Sequence, residues 1–212
     1  MSYKQLIEGQ RYQIQAYLSQ HLSYREIGRR YRKGSRAKRV IIPNRIGIEE
    51  RPEIVETKQC FGDWEVDTVL GKQGTGAIVS LVERKSKMYL IPKVPKKSAE
   101  DVCRAVGAML WRYLRHLHTI TTDNGTEFCA HESIAQKLKT DVYFANPYAS
   151  WERGLNENYN GLLRQYIPKG TDLRTVTDEE IEKVQRSLNL RPRKCLGYRQ
   201  PAVVFDELRS AA

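Results

Sequence analysis

The chain has 212 residues, 40% of them hydrophobic, enough for one medium domain with a real core plus appendages. Its 36 Lys plus Arg against 25 acids leave a net charge of +11, which points to a polyanionic partner, either nucleic acid or an anionic membrane surface. No window approaches the roughly 20 apolar residues of a membrane span, and no signal-like run opens the chain, so a soluble cytoplasmic protein is expected. The four cysteines, at 60, 103, 129 and 195, form no CxxC pair, and Cys129 with His131 lacks partners at zinc-ligand spacing; they read as reduced structural thiols.

In chain order, residues 3–30 set Ile14, Tyr17 and Leu18 on one stripe, and Ser23 then starts a second short helix with Glu26 as its capping-box partner. The pair resembles the opening of a helix-turn-helix, after which a recognition helix should follow. Instead, seven of the eleven residues from Arg29 to Arg39 are basic and none is acidic, the pattern of a solvated arm. Arg29, Arg30, Arg32, Lys33, Arg36, Lys38 and Arg39 are candidate DNA contacts, each neutralised phosphate adding about −0.9 to the salt slope of binding. Residues 40–58 carry two prolines and little periodicity, and read as an extended linker.

The pattern then tightens. "DWEVDTVLG", "AIVSLVERK" and "MYLIPKV" read as three short strands. Val102, Val106, Met109, Tyr113 and Leu117 recur at helical spacing between Ser98 and His116, behind a Ser cap. A strand "HTITT", a helix around "HESIAQKLK" and a strand "DVYFA" follow. A helix from about Trp151 to Tyr166 and another from Asp178 to Leu190, with Thr177 and Glu180 as a capping box, complete the reading. Alternation of this kind predicts an α/β fold, a mixed sheet with helices on its faces.

Three acids stand out. Strand alternation puts Glu65 and Asp67 on one side and Trp64, Val66 and Thr68 on the other, and an acid at Asp67 amid strand formers needs a cation to meet it. In "TITTDNGTEF" a buried-looking strand ends on Asp123, and the carboxyl ends of strands are where ligands sit in open α/β sheets. In "SWERGLNENYNGLLRQY", Leu155, Tyr159, Leu162, Leu163 and Tyr166 form an apolar stripe, while Arg153, Glu157, Asn160, Gly161 and Arg164 line a polar one. That polar stripe is either an ordinary solvated face with local ion pairs or a face built to approach a phosphate backbone.

Asp67, Asp123 and Glu157 stand 56 and 34 positions apart. Together with "IPNRIGIEERPEIVE", "GDWEVDTVLGK", "TTDNGTEF", "NPYASWERGLNENYNGLLRQYIPKG" and "NLRPRKCLGYRQPAVVF", they make the chain resemble the DDE transposases of the insertion sequence 30 family over residues 42–205. The resemblance implies a ribonuclease H-like core with catalytic Asp67, Asp123 and Glu157. It also implies two Mg²⁺ (or Mn²⁺) ions, Asp67 touching both, Asp123 one and Glu157 the other, and a tight turn at Asn124 and Gly125. Hard oxygen donors suit such ions, which activate a water or 3′-hydroxyl and stabilise the leaving oxygen.

Around these acids, Glu65 reads as a structural or solvated acid, set against a supporting role beside Asp67 at the site, and Glu127 as a first-turn helix acid favoured by the dipole. Asn160 and Arg164 are candidate DNA contacts set against simple helix pairing, Trp64, Trp111 and Trp151 read as core, and "RPRK" (191–194) reads as a phosphate clamp or a solvated run. The expected division is a partial helix-turn-helix remnant at 1–30, a basic arm and linker at 31–58, the catalytic core at 59–175 and a C-terminal helical extension at 176–212. Members of the family carry complete helix-turn-helix units, so the N-terminal region is read as internally deleted. Two functions follow: a DNA-cleaving and strand-transferring transposase that self-associates on DNA, with no membrane or small-molecule partner, or a DNA-binding derivative that interferes with full-length transposase.

Overall fold

The computed structural model describes residues 8–19, 21–31, 42–146 and 149–211, and the chain forms two compact units, 1–41 and 42–212. In the first, helix α1 (Glu8–Ser19) and helix α2 (Tyr24–Tyr31) are joined through a turn where His21 adopts φ 56°. The expected capping box closes α2: the Ser23 amide donates to Glu26 Oε2 at 3.1 Å and the Glu26 amide to Ser23 Oγ at 3.3 Å. Arg29 and Arg30 lie in α2 with side chains outside the described residues, as is all of the arm carrying Arg32, Lys33, Arg36, Lys38 and Arg39.

The second unit is built on a seven-stranded mixed sheet. Its strands are β1 (Ile46–Gly47), β2 (Asp63–Leu70), β3 (Ala77–Glu83), β4 (Tyr89–Leu90), β5 (Lys93–Val94), β6 (Thr119–Thr122) and β7 (Asp141–Phe144). Spatial order is β1-β7-β6-β2-β3-β4, with β5 also on β3. β2 and β3 form a long antiparallel hairpin from Trp64↔Glu83 to Leu70↔Ala77, while β2–β6, β6–β7 and β1–β7 are parallel.

Alternation along β2 and β3 distributes the core between two faces. Trp64, Val66, Val79 and Leu81 pack with Val102 and Val106 of α3 (Ala99–Leu110) and with Ile134 and Leu138 of α4 (His131–Leu138). Val69, Ile78 and Val82 pack on the other side with Tyr159 and Leu163 of α5 (Gly154–Leu163) and Ile181 and Leu188 of α6 (Asp178–Leu190). Both capped starts form as expected, the Asp101 amide donating to Ser98 Oγ and Thr177 closing a full capping box with Glu180.

Four details differ from the sequence reading. "MYLIPKV" is two strands, because Pro92 has no amide to continue the ladder and the Ile91 amide donates instead to Gln185 of α6 at 2.9 Å. The stretch read as a linker adds β1 to the edge of β7 and buries Ile42 and Val55; a two-residue edge strand is too short to show periodicity. Helix α7 (Pro201–Ala211) follows α6, with Pro201 at its first position, and carries Phe205 into the core against Phe61 and Tyr113, both at 5.1 Å. Trp64 is buried and stacks on Tyr113, whereas Trp111 is exposed on the 3-10 turn that follows α3, and the side chain of Trp151 lies outside the described residues.

Candidate active site

The parallel pairing of β2 with β6 runs from Asp63↔Thr119 to Glu65↔Thr121. Two residues further in that register, Asp67 comes opposite Asp123, where β6 has ended and β2 continues beside β3 alone. Adjacent strands lie about 4.8 Å apart. Two carboxylates near that spacing would repel by roughly 3 kcal/mol at an effective dielectric of about 20, a cost that a cation between them or a proton on one of them relieves.

That cation is Arg153. Its NH1 lies 3.4 Å from Asp67 Oδ2 and its NH2 3.5 Å from Asp123 Oδ2. Asp67 also accepts from its neighbour's amide, Thr68 N at 2.8 Å, and from Asn160 Nδ2 at 2.9 Å. Burial pushes the Asp67 carboxyl above the ordinary range; Arg153 and the Thr68 amide work against that, and the charges of Asp123 and Glu127 reinforce it. Asp123 ends β6 by an Asx-turn of its own, Oδ1 accepting from the Gly125 amide at 2.8 Å, so Gly125 needs no left-handed conformation (φ −68°). Asn124 anchors the turn by donating to Ala145 O at 2.6 Å and accepting from Arg45.

Glu157 sits in the first turn of α5 and is exposed. It shares a helix stripe with Arg153, Asn160 and Arg164. The structure shows where that stripe faces: Arg153 and Asn160 both reach Asp67, and Arg164 NH2 donates to Leu70 O at the end of β2, 2.7 Å away. The polar stripe is therefore turned toward the carboxylate end of the sheet and is not a freely solvated face. Among the described residues no three acidic, histidine or cysteine side chains converge closely enough to enclose a metal ion, and Asp67 and Asp123 are linked through their shared Arg153. The paired acids offer hard oxygen donors and already bracket a cation, which suits Mg²⁺ or Mn²⁺.

Two acids are more embedded than the sequence suggested. Glu65 is 1% exposed, takes Arg84 NH1 at 3.0 Å and accepts the Asn156 amide of α5 at 3.2 Å. It thus satisfies one of the free amides in the first turn of α5 from a strand 91 residues away, which anchors the helix that carries Glu157. Arg84 and Arg51 both also meet Glu56, and Arg51 NH1 donates to Thr121 of β6 at 2.6 Å. Glu127 lies in the middle of a 3-10 turn (Thr126–Phe128), but at three residues that turn has little dipole, and the side chain is buried, accepting from Thr68 Oγ1 at 2.8 Å and pairing with Lys97 at 2.8 Å. Of the "RPRK" run, Arg193 lies over the Tyr159 ring at 5.0 Å and donates to Leu188 O at 2.9 Å. Apart from Arg51 with Glu56 and Arg193 with Leu188, each five positions apart, these contacts were not readable from local pattern, because they join strands and helices far apart in the chain.

Residues 58–150 match the model of the integrase core domain. The chain is 50% identical over 190 residues to the transposase for insertion sequence element IS4351 of Bacteroides fragilis, covering 89% of this chain and 58% of that protein. It is 42% identical over 166 residues to the probable transposase for insertion-like sequence element IS1161 of Streptococcus salivarius, 77% of this chain and 47% of that protein. It is 36% identical over 181 residues to transposase InsI for insertion sequence element IS30A of Escherichia coli (strain K12), 84% of this chain and 47% of that protein. The chain is similar to transposases of the insertion sequence 30 family. It spans about half the length of these curated relatives. The mixed sheet flanked by helices is the α/β, ribonuclease H-like architecture of that family's integrase core. Among the described residues no helix is long and apolar enough to cross a membrane.

Proposed function

We propose that this chain acts as a metal-dependent DNA transposase of the DDE class, a polynucleotidyl transferase in which Asp67, Asp123 and Glu157 hold two Mg²⁺ (or Mn²⁺) ions. The observation that supports it best is the juxtaposition of Asp67 with Asp123 around one buried-side cation, with the stripe of α5 that carries Glu157 turned toward the same strand ends. Divalent ions held there would activate a water or a 3′-hydroxyl and stabilise the leaving oxygen of an in-line displacement.

The chain's own residues supply the rest. Asn160 and the Thr68 amide fix the two oxygens of Asp67, the Asx-turn holds Asp123 Oδ1 and leaves Oδ2 toward Arg153, and Glu65 holds the start of α5 in place. The basic side chains at Arg29, Arg30, Arg32, Lys33, Arg36, Lys38 and Arg39 contribute phosphate contacts that carry no base-reading geometry of their own. Asn160 and Arg164 face the same strand ends and reach the DNA backbone once it lies in the site. The chain self-associates when two element ends are held together.

The test is nicking of supercoiled plasmid, and joining of a labelled 3′-hydroxyl oligonucleotide to it, with Mg²⁺ or Mn²⁺ and with EDTA. Cleavage that needs metal and falls by about a thousandfold or more in Glu157→Gln, equivalent to roughly 4 kcal/mol of transition-state stabilisation, is the expected outcome. Equal cleavage by Glu157→Gln, or cleavage that persists in EDTA, refutes the assignment. Nicking without joining restricts the activity to hydrolysis.

A further inference from the structure

Arg153 is the residue for which the proposed chemistry has assigned no role. It is the N-cap of α5, at φ −125° and ψ 37°, between a 3-10 turn (Ser150–Arg153) and the helix, so its backbone lies at a joint between two elements. Its side chain is only 16% exposed, and among the described residues its Nε and NH1 find no hydrogen-bond acceptor, although an arginine has five donors in a fixed fork. Both of its ion pairs, at 3.4 Å and 3.5 Å, are longer than the 2.7–2.9 Å typical of charge-assisted hydrogen bonds. The guanidinium is thus placed by charge and not by fitted bonding. It lies between the two carboxylates 21% and 33% exposed, the most accessible part of an otherwise buried set of acids that includes Glu65 and Glu127.

We propose that Arg153 is the internal counter-ion of the metal-free site and that a divalent ion and this guanidinium compete for the gap between Asp67 and Asp123. The inference rests on the reading of those two acids as metal ligands. Its consequence is that the affinity for metal is set partly by how readily Arg153 leaves. A protein whose binding-competent state is only fractionally populated binds with an affinity reduced by that fraction. Because Arg153 begins α5, its withdrawal is also felt at the start of the helix bearing Glu157, which ties the loading of the pair to the placement of the third acid.

The experiment is Mn²⁺ binding to the full chain without DNA, followed by calorimetry and by the electron paramagnetic signal of free Mn²⁺, for the wild type, Arg153→Gln and Asp123→Asn. Arg153→Gln is expected to bind Mn²⁺ about tenfold more tightly than the wild type, the gain expected if the guanidinium blocks the site about nine-tenths of the time. It is also expected to melt lower in EDTA and to gain more in melting temperature from Mn²⁺, because a ligand that binds only the folded state stabilises it according to its affinity. Equal or weaker binding by Arg153→Gln, with binding abolished in Asp123→Asn, overturns the competition while leaving the metal site standing. Binding that persists unchanged in Asp123→Asn overturns the metal reading itself. Should Arg153→Gln fail to fold, the Nε–H resonance of Arg153 in the wild type decides. A shift that tracks Mg²⁺ loading supports displacement, and no shift at saturating Mg²⁺ rejects it.

Discussion

Glu65 and Asp67 leave the same face of β2 two residues apart, but their surroundings differ at every level. Glu65 is 1% exposed and each of its oxygens has a partner, the Arg84 guanidinium and the Asn156 amide. Asp67 is 21% exposed and shares a loosely held arginine with Asp123. The difference comes from the neighbouring strand: β6 still pairs with β2 at Glu65 and has ended by Asp67, so the first carboxylate is roofed over and the second opens into the crevice. Identical chemistry on one strand face is thereby divided into a charge that holds the scaffold and a charge left available for chemistry.

That comparison is most sharply tested by removing each charge in turn. Glu65→Ala leaves Arg84 buried without its closest acid and should cost about 3–5 kcal/mol in urea unfolding, the usual penalty for breaking one side of a buried pair. If the loss is under about 1 kcal/mol, Glu65 is not a structural anchor and the division proposed here fails. Asn160→Ala should have a smaller and different signature, a stability loss of about 1.5–3 kcal/mol for one hydrogen bond to a charged group, with metal-dependent cleavage reduced well beyond what that loss explains. Unimpaired cleavage would show that Asp67 needs no orienting partner.

Asp67→Asn should behave opposite to Glu65→Ala in metal-free buffer. Because burial raises the folded-state pKa of Asp67, the folded protein binds its proton more readily than the unfolded chain, and the stability linked to that proton is present at low pH and lost as pH rises through the folded value. The melting temperature of Asp67→Asn should therefore exceed that of the wild type at pH 7, with the gap closing toward pH 4. A gap that widens on acidification reverses the sign and the argument. The smallest effect concerns α5 itself. A Cβ at Gly161 meets nothing within 4 Å, so Gly161→Ala should stabilise the helix by about 0.5–1 kcal/mol. A simultaneous loss of DNA cleavage would mean that the DNA backbone passes close to that bare position.

Much of this was legible in the sequence because it is local. The capping boxes at Ser23 and Thr177, the Ser98 cap, the β2–β3 hairpin and the helical periods of α3 to α6 depend on residues within a few positions of one another. Asp123 at a strand end is likewise a local signal. The partners of the acids were not legible. Glu65 with Asn156, Thr68 with Glu127, and Asp67 with Asn160 are separated by 91, 59 and 93 positions, and no period within either segment encodes the other. Helix α7 escaped for another reason: its Phe205 acquires meaning only when Phe61 and Tyr113 are already in place to receive it.

The sequence by itself determined most of the element types, the alternation that sorts β2 into two faces, the net positive charge and the three acids of the family resemblance. Those properties follow from side-chain chemistry read at periods of 2 and 3.6. Only the tertiary structure decided which acid is buried, which is open, and that Arg153 stands between Asp67 and Asp123. Strand register and the packing of α5 decide those outcomes, since burial and distance set the energy of a charge and neither is a property of the residue alone.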